Sequence, residues 1–267
     1  MNIIQCTHTQ SRCFGVKRKT ISPIGIVVHS TGANNAFIKR YSQPSDNDPK
    51  RGELLKILGK NAYSNHWNTS SATKSAHYII GKLADGTVGI VQNLPENIAA
   101  WTAGKASKGS YNYDPVAHIQ FEICEDNLKD ADYFRAIYKT AVELCADICY
   151  RHGWGASAIL SHREAHAKGY ASKHSDIDHW LKKFNRTMSD FRADVAAALK
   201  DLSTSKEASA EVDKTANPVD TFVAPEDPFK LFNKEGDLIG HLIPGAKCDV
   251  LATSDNEIAI FAIVSQK

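Results

Sequence analysis

The stretch "SHREAHAKGYASKHSDIDHW", residues 161–180, carries four histidines, two aspartates and a glutamate. Its first histidine, His162, comes one serine after the apolar "AIL", much as His29 follows "IGIVV" far upstream. Taken singly, each is a polar residue that ends a strand and helps the turn. Two strands that both end in histidine suit ligands converging on a cleft at one sheet edge. Imidazole is the commonest protein ligand for zinc, and carboxylate is a normal third. The short pattern "HREAH" is neither H-E-x-x-H nor H-x-x-E-H, because its glutamate occupies the middle position. It contains H-x-E, but no P-C-x-x-C follows and only Cys248 remains downstream, which excludes a zinc deaminase.

Working outward, the chain up to Leu202 alternates strand-like and helix-like segments, which predicts an α/β fold with a mixed β-sheet flanked by helices. "AHYIIGKLADGTVGIV" (76–91) reads as a hairpin turned at Asp85-Gly86, where positive φ is tolerated. "HIQFEI" (118–123) alternates and reads as a further strand. From Asp132 to His152, Phe134, Ile137, Tyr138, Ala141, Cys145, Ile148 and Cys149 recur at helical spacing. Ser189 is the expected N-cap of a helix over "DFRADVAAALKDL". Residues 203–218, "STSKEASAEVDKTANP", are small, polar and charged without a periodic apolar face, and read as a linker. Residues 219–267 show short apolar runs between turn signals, predicting a small C-terminal all-β module of three to five strands. The domain boundaries are therefore 1–202, 203–218 and 219–267.

A chain of 267 residues can bury a full core and still carry such a module. Hydrophobic content of 42% and charged content of 23% are ordinary for a folded soluble protein. A formal net charge of +2 without a dense basic run argues against a nucleic-acid partner. No run approaches the ~20 apolar residues needed to span a bilayer, so membrane insertion is not expected. The N-terminal "MNIIQCTHTQSRCFGV" lacks the basic-then-apolar pattern of a signal peptide, and folding in a cytosol is expected. Of six cysteines, Cys145 and Cys149 fall on the apolar helix face; the thiols read as core filler rather than a disulfide framework.

The ordered set is far more specific than any fragment. An apolar strand ends in His29 before "STG"; "SAHYII" leads into "DGT"; "AAWTAG" and "IQFEI" follow; "SHRE" comes next, and His174 and Asp176 close the series. This order resembles the type-2 N-acetylmuramoyl-L-alanine amidases, the zinc fold shared with peptidoglycan recognition proteins. The resemblance covers roughly residues 20 to 195. Within it, "HREAHAKGYASKHSDIDHW" looks most like the endolysins of phages that infect clostridia.

The resemblance implies a Zn2+ cofactor held by His29, His162 and Asp176. Asp176 is preferred to His174 as third ligand because the family pattern ends in the carboxylate. It implies Glu122 of "IQFEI" as the catalytic glutamate, and places His174 where many relatives keep a lysine that stabilises transition-state charge. His166 and His179 then read as surrounding or surface groups, and His77 as a core or cleft-wall residue. Three protein ligands leave a fourth tetrahedral position for water, the mark of a catalytic rather than structural site. Glu122 can then act as general base and acid, while His174 stabilises the developing oxyanion. The chain departs from its relatives at Thr102, where "AAWTAG" replaces a histidine-containing "W-H-A-G". Trp101 and Thr102 are nevertheless expected to bind substrate, joined by Asn112 from the loop before the catalytic strand. A further departure is Ile177, which stands where relatives carry proline after the third ligand.

The implied partner is bacterial peptidoglycan and the implied reaction is cleavage between N-acetylmuramate and L-alanine. The implied setting is the host cytosol, with release to the wall after a membrane lesion. A zinc endopeptidase acting on the stem peptide and a non-catalytic recognition protein of the same fold are the competing readings. Residues 219–267 resemble a bacterial SH3-like wall-binding domain, which raises the enzyme's effective concentration on an insoluble substrate. So small a module has little core, and homodimerisation through it is one expected source of stability.

Overall fold

In a computed structural model, the protein is described over residues 2–15 and 17–215 and over five later strands between 220 and 263. The first part contains β1 (Ile3–Gln5), β2 (Ile26–Ser30), α1 (Arg51–Leu58), β3 (Tyr78–Lys82), β4 (Val88–Gln92) and β5 (Ile119–Ile123). These are followed by α2 (Ala131–His152), β6 (Ile159–Ser161), α3 (His162–Ala167), α4 (Asp178–Lys183) and α5 (Met188–Thr215). Six strands form one sheet in the order β1-β4-β3-β5-β2-β6. Only the β3–β4 pair is antiparallel, and its turn is the expected Asp85-Gly86, with Gly86 at φ +87°. The mixed α/β sheet is the architecture expected from the sequence.

Strands β2 and β5 are buried at every position, as befits parallel strands covered on both faces. Their Ile26, Val28, Ile119 and Phe121 pack against the apolar stripe of α2, with Trp180 of α4 and Phe191 of α5 completing the cluster. Each such side chain contributes roughly 1.5–3 kcal/mol by leaving water. Helix α2 begins where Asp130 accepts hydrogen bonds from the Asp132 and Tyr133 amides, and it ends at Gly153 in the left-handed conformation. Cys145 and Cys149 are buried within this cluster, and the five described cysteines are all unpaired.

A polar clip ties the end of α2 to the sheet. Glu96 accepts from Arg151 through two bonds of 2.9 and 2.8 Å, and from Tyr78 of β3 at 2.6 Å. His152 lies 2.8 Å from its second oxygen.

One local expectation is corrected, and one segment takes a form that its composition does not show. Thr187, not Ser189, caps α5: Thr187 Oγ1 accepts from the Asp190 amide, and Asp190 in return accepts from the Thr187 amide at 2.8 Å. That reciprocal pair needs an acid three residues after the cap, which Thr187 has and Ser189 lacks. The stretch 203–218, expected as a linker, is helical as far as Thr215. Its alanine, glutamate and lysine are strong helix formers, and a helix already nucleated by packed residues propagates without an apolar face of its own.

Contacts divide the chain into Met1–Leu202 and Ser203–Lys267. The second unit contains β7 (Asp220–Val223), β8 (Phe229–Phe232), β9 (Leu238–Leu242), β10 (Lys247–Thr253) and β11 (Ala259–Ile263). They pair as a three-stranded antiparallel sheet, β11-β10-β7, and a β8–β9 hairpin. Among the described residues no helix is long and apolar enough to cross a membrane.

Candidate metal centre

Strand register brings the two histidines together. In the parallel trio β5-β2-β6, His29 is opposite Glu122 and Val28 is opposite Ser161, so His162 falls in line with His29. Alternation turns Val28 and Phe121 toward α2 and leaves Val27, His29, Gln120 and Glu122 on the other face. The cluster therefore stands at the carboxyl ends of parallel strands, where open α/β sheets place their ligands.

His162 opens helix α3, and Glu164 holds it there. Ser161 and Glu164 form a capping box, with the Ser161 amide donating to Glu164 at 3.0 Å and the Glu164 amide donating to Ser161 Oγ at 3.2 Å. Glu164 also accepts two bonds from Arg192 of α5, at 2.8 and 3.0 Å. The glutamate of "HRE" is thus a structural brace for its neighbouring histidine.

Asp176 completes the cluster. His29 Nδ1 and His162 Nδ1 are 2.9 Å apart, and Asp176 Oδ2 lies 3.4 and 3.3 Å from them. Ligand atoms at ~2.0–2.1 Å from a tetrahedral zinc are about 3.3 Å from one another. Two edges of the triangle match one face of a zinc tetrahedron, and the third, between the two imidazole nitrogens, is shorter at 2.9 Å. The outer nitrogens support the same reading. His162 Nε2 donates to the Ser172 carbonyl at 3.0 Å, and His29 Nε2 donates to Gln120 Oε1 at 3.2 Å. Both protons are held on the outside, which leaves both Nδ1 lone pairs facing inward, as metal-ligating histidines require. Burial pushes His29 down, so its ring is neutral. The donor set fits zinc: two imidazoles, one carboxylate and an open side.

That open side faces a cleft of about 480 Å³, whose walls include Glu122, His174, Trp101, Thr102, Lys74 and His179. Glu122 is only 6% exposed, and its Oε2 has no hydrogen-bond partner within the protein. Burial raises its carboxyl well above the ordinary value, and the charge of Asp176 raises it further. His174 stands beside the cluster, its ring centroid 4.9 Å from that of His162. Thr102 donates to the Ser75 carbonyl at 2.6 Å.

The remaining residues named from the sequence make bonds of their own. Asn112, expected on the substrate wall, is 6% exposed and lies behind the cluster. Its Oδ1 accepts from the Ala103 amide at 3.1 Å and from Gln120 Nε2 at 2.9 Å, so that oxygen is held internally, while the residue borders a neighbouring cleft with Gly104, Tyr113 and Tyr170. His77 is a core residue, taking the Gln120 amide on Nδ1 and donating from Nε2 to Ile98. His166 binds the Ala171 carbonyl. His179 lies 3.0 Å from Glu125, which also accepts from Ser30, and the Glu125 bond raises the imidazole's pKa. Sequence reasoning missed Gln120, Glu125 and Lys74 as neighbours of the site. Gln120 could have been found, being a polar residue at the same inward phase as Glu122; a single lysine in a loop offers no such signal.

The sequence profile described as N-acetylmuramoyl-L-alanine amidase matches residues 19–177. A search of the curated proteins found no match. Among solved structures, the chain is similar to the hydrolase AmiA of Staphylococcus aureus in complex with its ligand, at 14% identity and a TM-score of 0.48, over 74% of this chain and 83% of that one. It is similar to the catalytic domain of XlyA at 20% identity and a TM-score of 0.46, over 73% of this chain and 99% of that one. A mutant endolysin from Bacillus subtilis aligns at 21% identity and a TM-score of 0.47, again over 73% and 99%.

Proposed function

This chain belongs to the N-acetylmuramoyl-L-alanine amidase family, enzymes acting on peptidoglycan, and from that premise we propose that it works as a zinc hydrolase with His29, His162 and Asp176 as the metal's protein ligands. The observation that carries this reading is the triangle of inward-facing ligand atoms with edges of 2.9, 3.4 and 3.3 Å, open toward the cleft. When bound, zinc supplies Lewis acidity and lowers the pKa of water toward neutrality.

The chain's own residues do the rest. Glu122, whose Oε2 is unpartnered, takes a proton from the attacking water and delivers it to the alanine nitrogen as the carbon–nitrogen bond breaks. His174 donates a hydrogen bond to the carbonyl oxygen as negative charge grows there. Trp101 and Thr102 form the wall against which the lactyl–alanine junction rests. The resemblance of residues 161–180 to phage endolysins supports a role in lysis from within the host, the C-terminal strands serving to hold the enzyme on the wall.

Digestion of purified cell walls followed by mass spectrometry tests the reaction. New N-terminal alanine beside intact muramic acid is the expected result. Cuts inside the stem peptide would replace this reading with an endopeptidase, and no release at all would replace it with a binding protein.

A further inference from the structure

We propose that Gln120 is a positioning residue that fixes the tautomer of His29, and that Asn112 in turn fixes which way round the Gln120 amide stands. The inference rests on the zinc reading given above. The Ala103 backbone N–H can only donate, and it donates to Asn112 Oδ1 at 3.1 Å. Asn112 therefore presents its oxygen, and that same oxygen lies 2.9 Å from the Gln120 amide nitrogen. A carbonyl oxygen of Gln120 in that place would face another oxygen with no proton between them. Gln120 accordingly turns its NH2 to Asn112 and its Oε1 to His29 Nε2, at 3.2 Å. An amide oxygen only accepts, so the His29 proton sits on Nε2 and the lone pair sits on Nδ1, the atom facing His162 and Asp176.

The chain of donors has one consistent assignment, set by a backbone group that cannot reverse. Gln120 and His29 are fully buried, so no water can stand in for a reversed partner. His162 reaches the same state by a shorter route, through the Ser172 carbonyl. A neutral amide suits the His29 position. It accepts the hydrogen bond without adding a third negative charge beside Asp176 and Glu122, which share the same cleft.

The test uses the full chain in three forms: wild type, Gln120→Leu and Asn112→Leu. Long-range nitrogen–proton NMR on the metal-free protein reads the His29 tautomer, and competition with a chromophoric chelator reads zinc affinity. Circular dichroism reports folding. Wild type is expected to carry the proton on His29 Nε2. Gln120→Leu, which removes the acceptor, is expected to mix the tautomers and weaken zinc binding about 10–100-fold. Asn112→Leu leaves the Gln120 amide free to reverse and is expected to mix the tautomers and weaken zinc binding about tenfold.

A folded Gln120→Leu variant with wild-type zinc affinity and an unchanged tautomer would overturn the inference. So would a folded Asn112→Leu variant whose tautomer and zinc affinity match wild type. Should the variants not fold, the wild-type tautomer decides, and a proton on His29 Nδ1 overturns the inference. A wild type that binds no zinc removes the proposed function and this inference together, whereas a zinc-binding wild type beside indifferent variants removes this inference alone.

Discussion

Replacing Glu96 by glutamine keeps the shape of the clip between α2 and β3 but removes its charge. Burial alone raises the Glu96 carboxyl, yet hydrogen bonds from Arg151, Tyr78 and His152 outweigh it and hold the pKa at about 2, against an ordinary 4.5. At ~1.4 kcal/mol per pH unit that gap is worth about 3 kcal/mol. The side chains of Arg151 and His152 are 38% and 27% exposed, so screening by solvent brings the expectation nearer 2 kcal/mol. A depressed carboxylate contributes its full stabilisation above pH 4.5 and loses it as the pH falls toward 2. The catalytic unit spans Met1–Leu202, and for that size Glu96→Gln should lower Tm by about 4–8 °C at pH 7. The difference should shrink steadily below pH 4.5 and vanish near pH 2. Thermal melts of both proteins across that range provide the measurement. None of the four side chains lines the cleft, so kcat/KM of the folded variant should match wild type. Equal melting points at pH 7, or a difference undiminished at pH 2.5, would refute the reasoning.

Three further outcomes concern the site. Stripping the metal with a chelator should abolish wall digestion and, relative to protein in zinc at a hundred times its Kd, lower stability by about 2.7 kcal/mol; Asp176→Ala should erase that zinc-dependent increment in calorimetry. Glu122→Gln should cut kcat by roughly 10²–10⁴ while zinc content, measured by atomic absorption, stays stoichiometric. Lysine keeps its charge to higher pH than imidazole, so His174→Lys should extend activity to more alkaline pH if a cation is needed there. An unchanged pH–rate profile would remove charge from the role of His174.

The parts of this site that were legible are those written as strand chemistry. An apolar run leading to a histidine marked both His29 and His162, and the alternation of "IQFEI" marked β5. Register then needed nothing more to set Glu122 beside His29. Asp176 was legible only through the order of motifs, because it reaches the cluster from a loop whose path no periodicity describes. Asn112 carries bonds that no sequence pattern announces. A polar residue in a loop beside a catalytic strand looks available for substrate, and only the folded chain shows Ala103 and Gln120 occupying its oxygen. Glu164 was read as motif context, whereas its partner Arg192 lies 28 residues away and cannot be inferred from local spacing. The helical stretch up to Thr215 was hidden because composition reports the absence of an apolar face, not the absence of helix.

The enclosed thiols have a consequence for how the protein can be handled. Burial lifts Cys6 and Cys149 to about 11 and takes Cys124 and Cys145 well above the ordinary thiol value, so little nucleophilic sulfur is presented at neutral pH. With no disulfide among the described cysteines, maturation of the catalytic unit requires no oxidant, and added reductant has no crosslink there to break. The catalytic unit should be indifferent to redox surroundings, keeping the same turnover in a phosphine reductant and in aerated buffer.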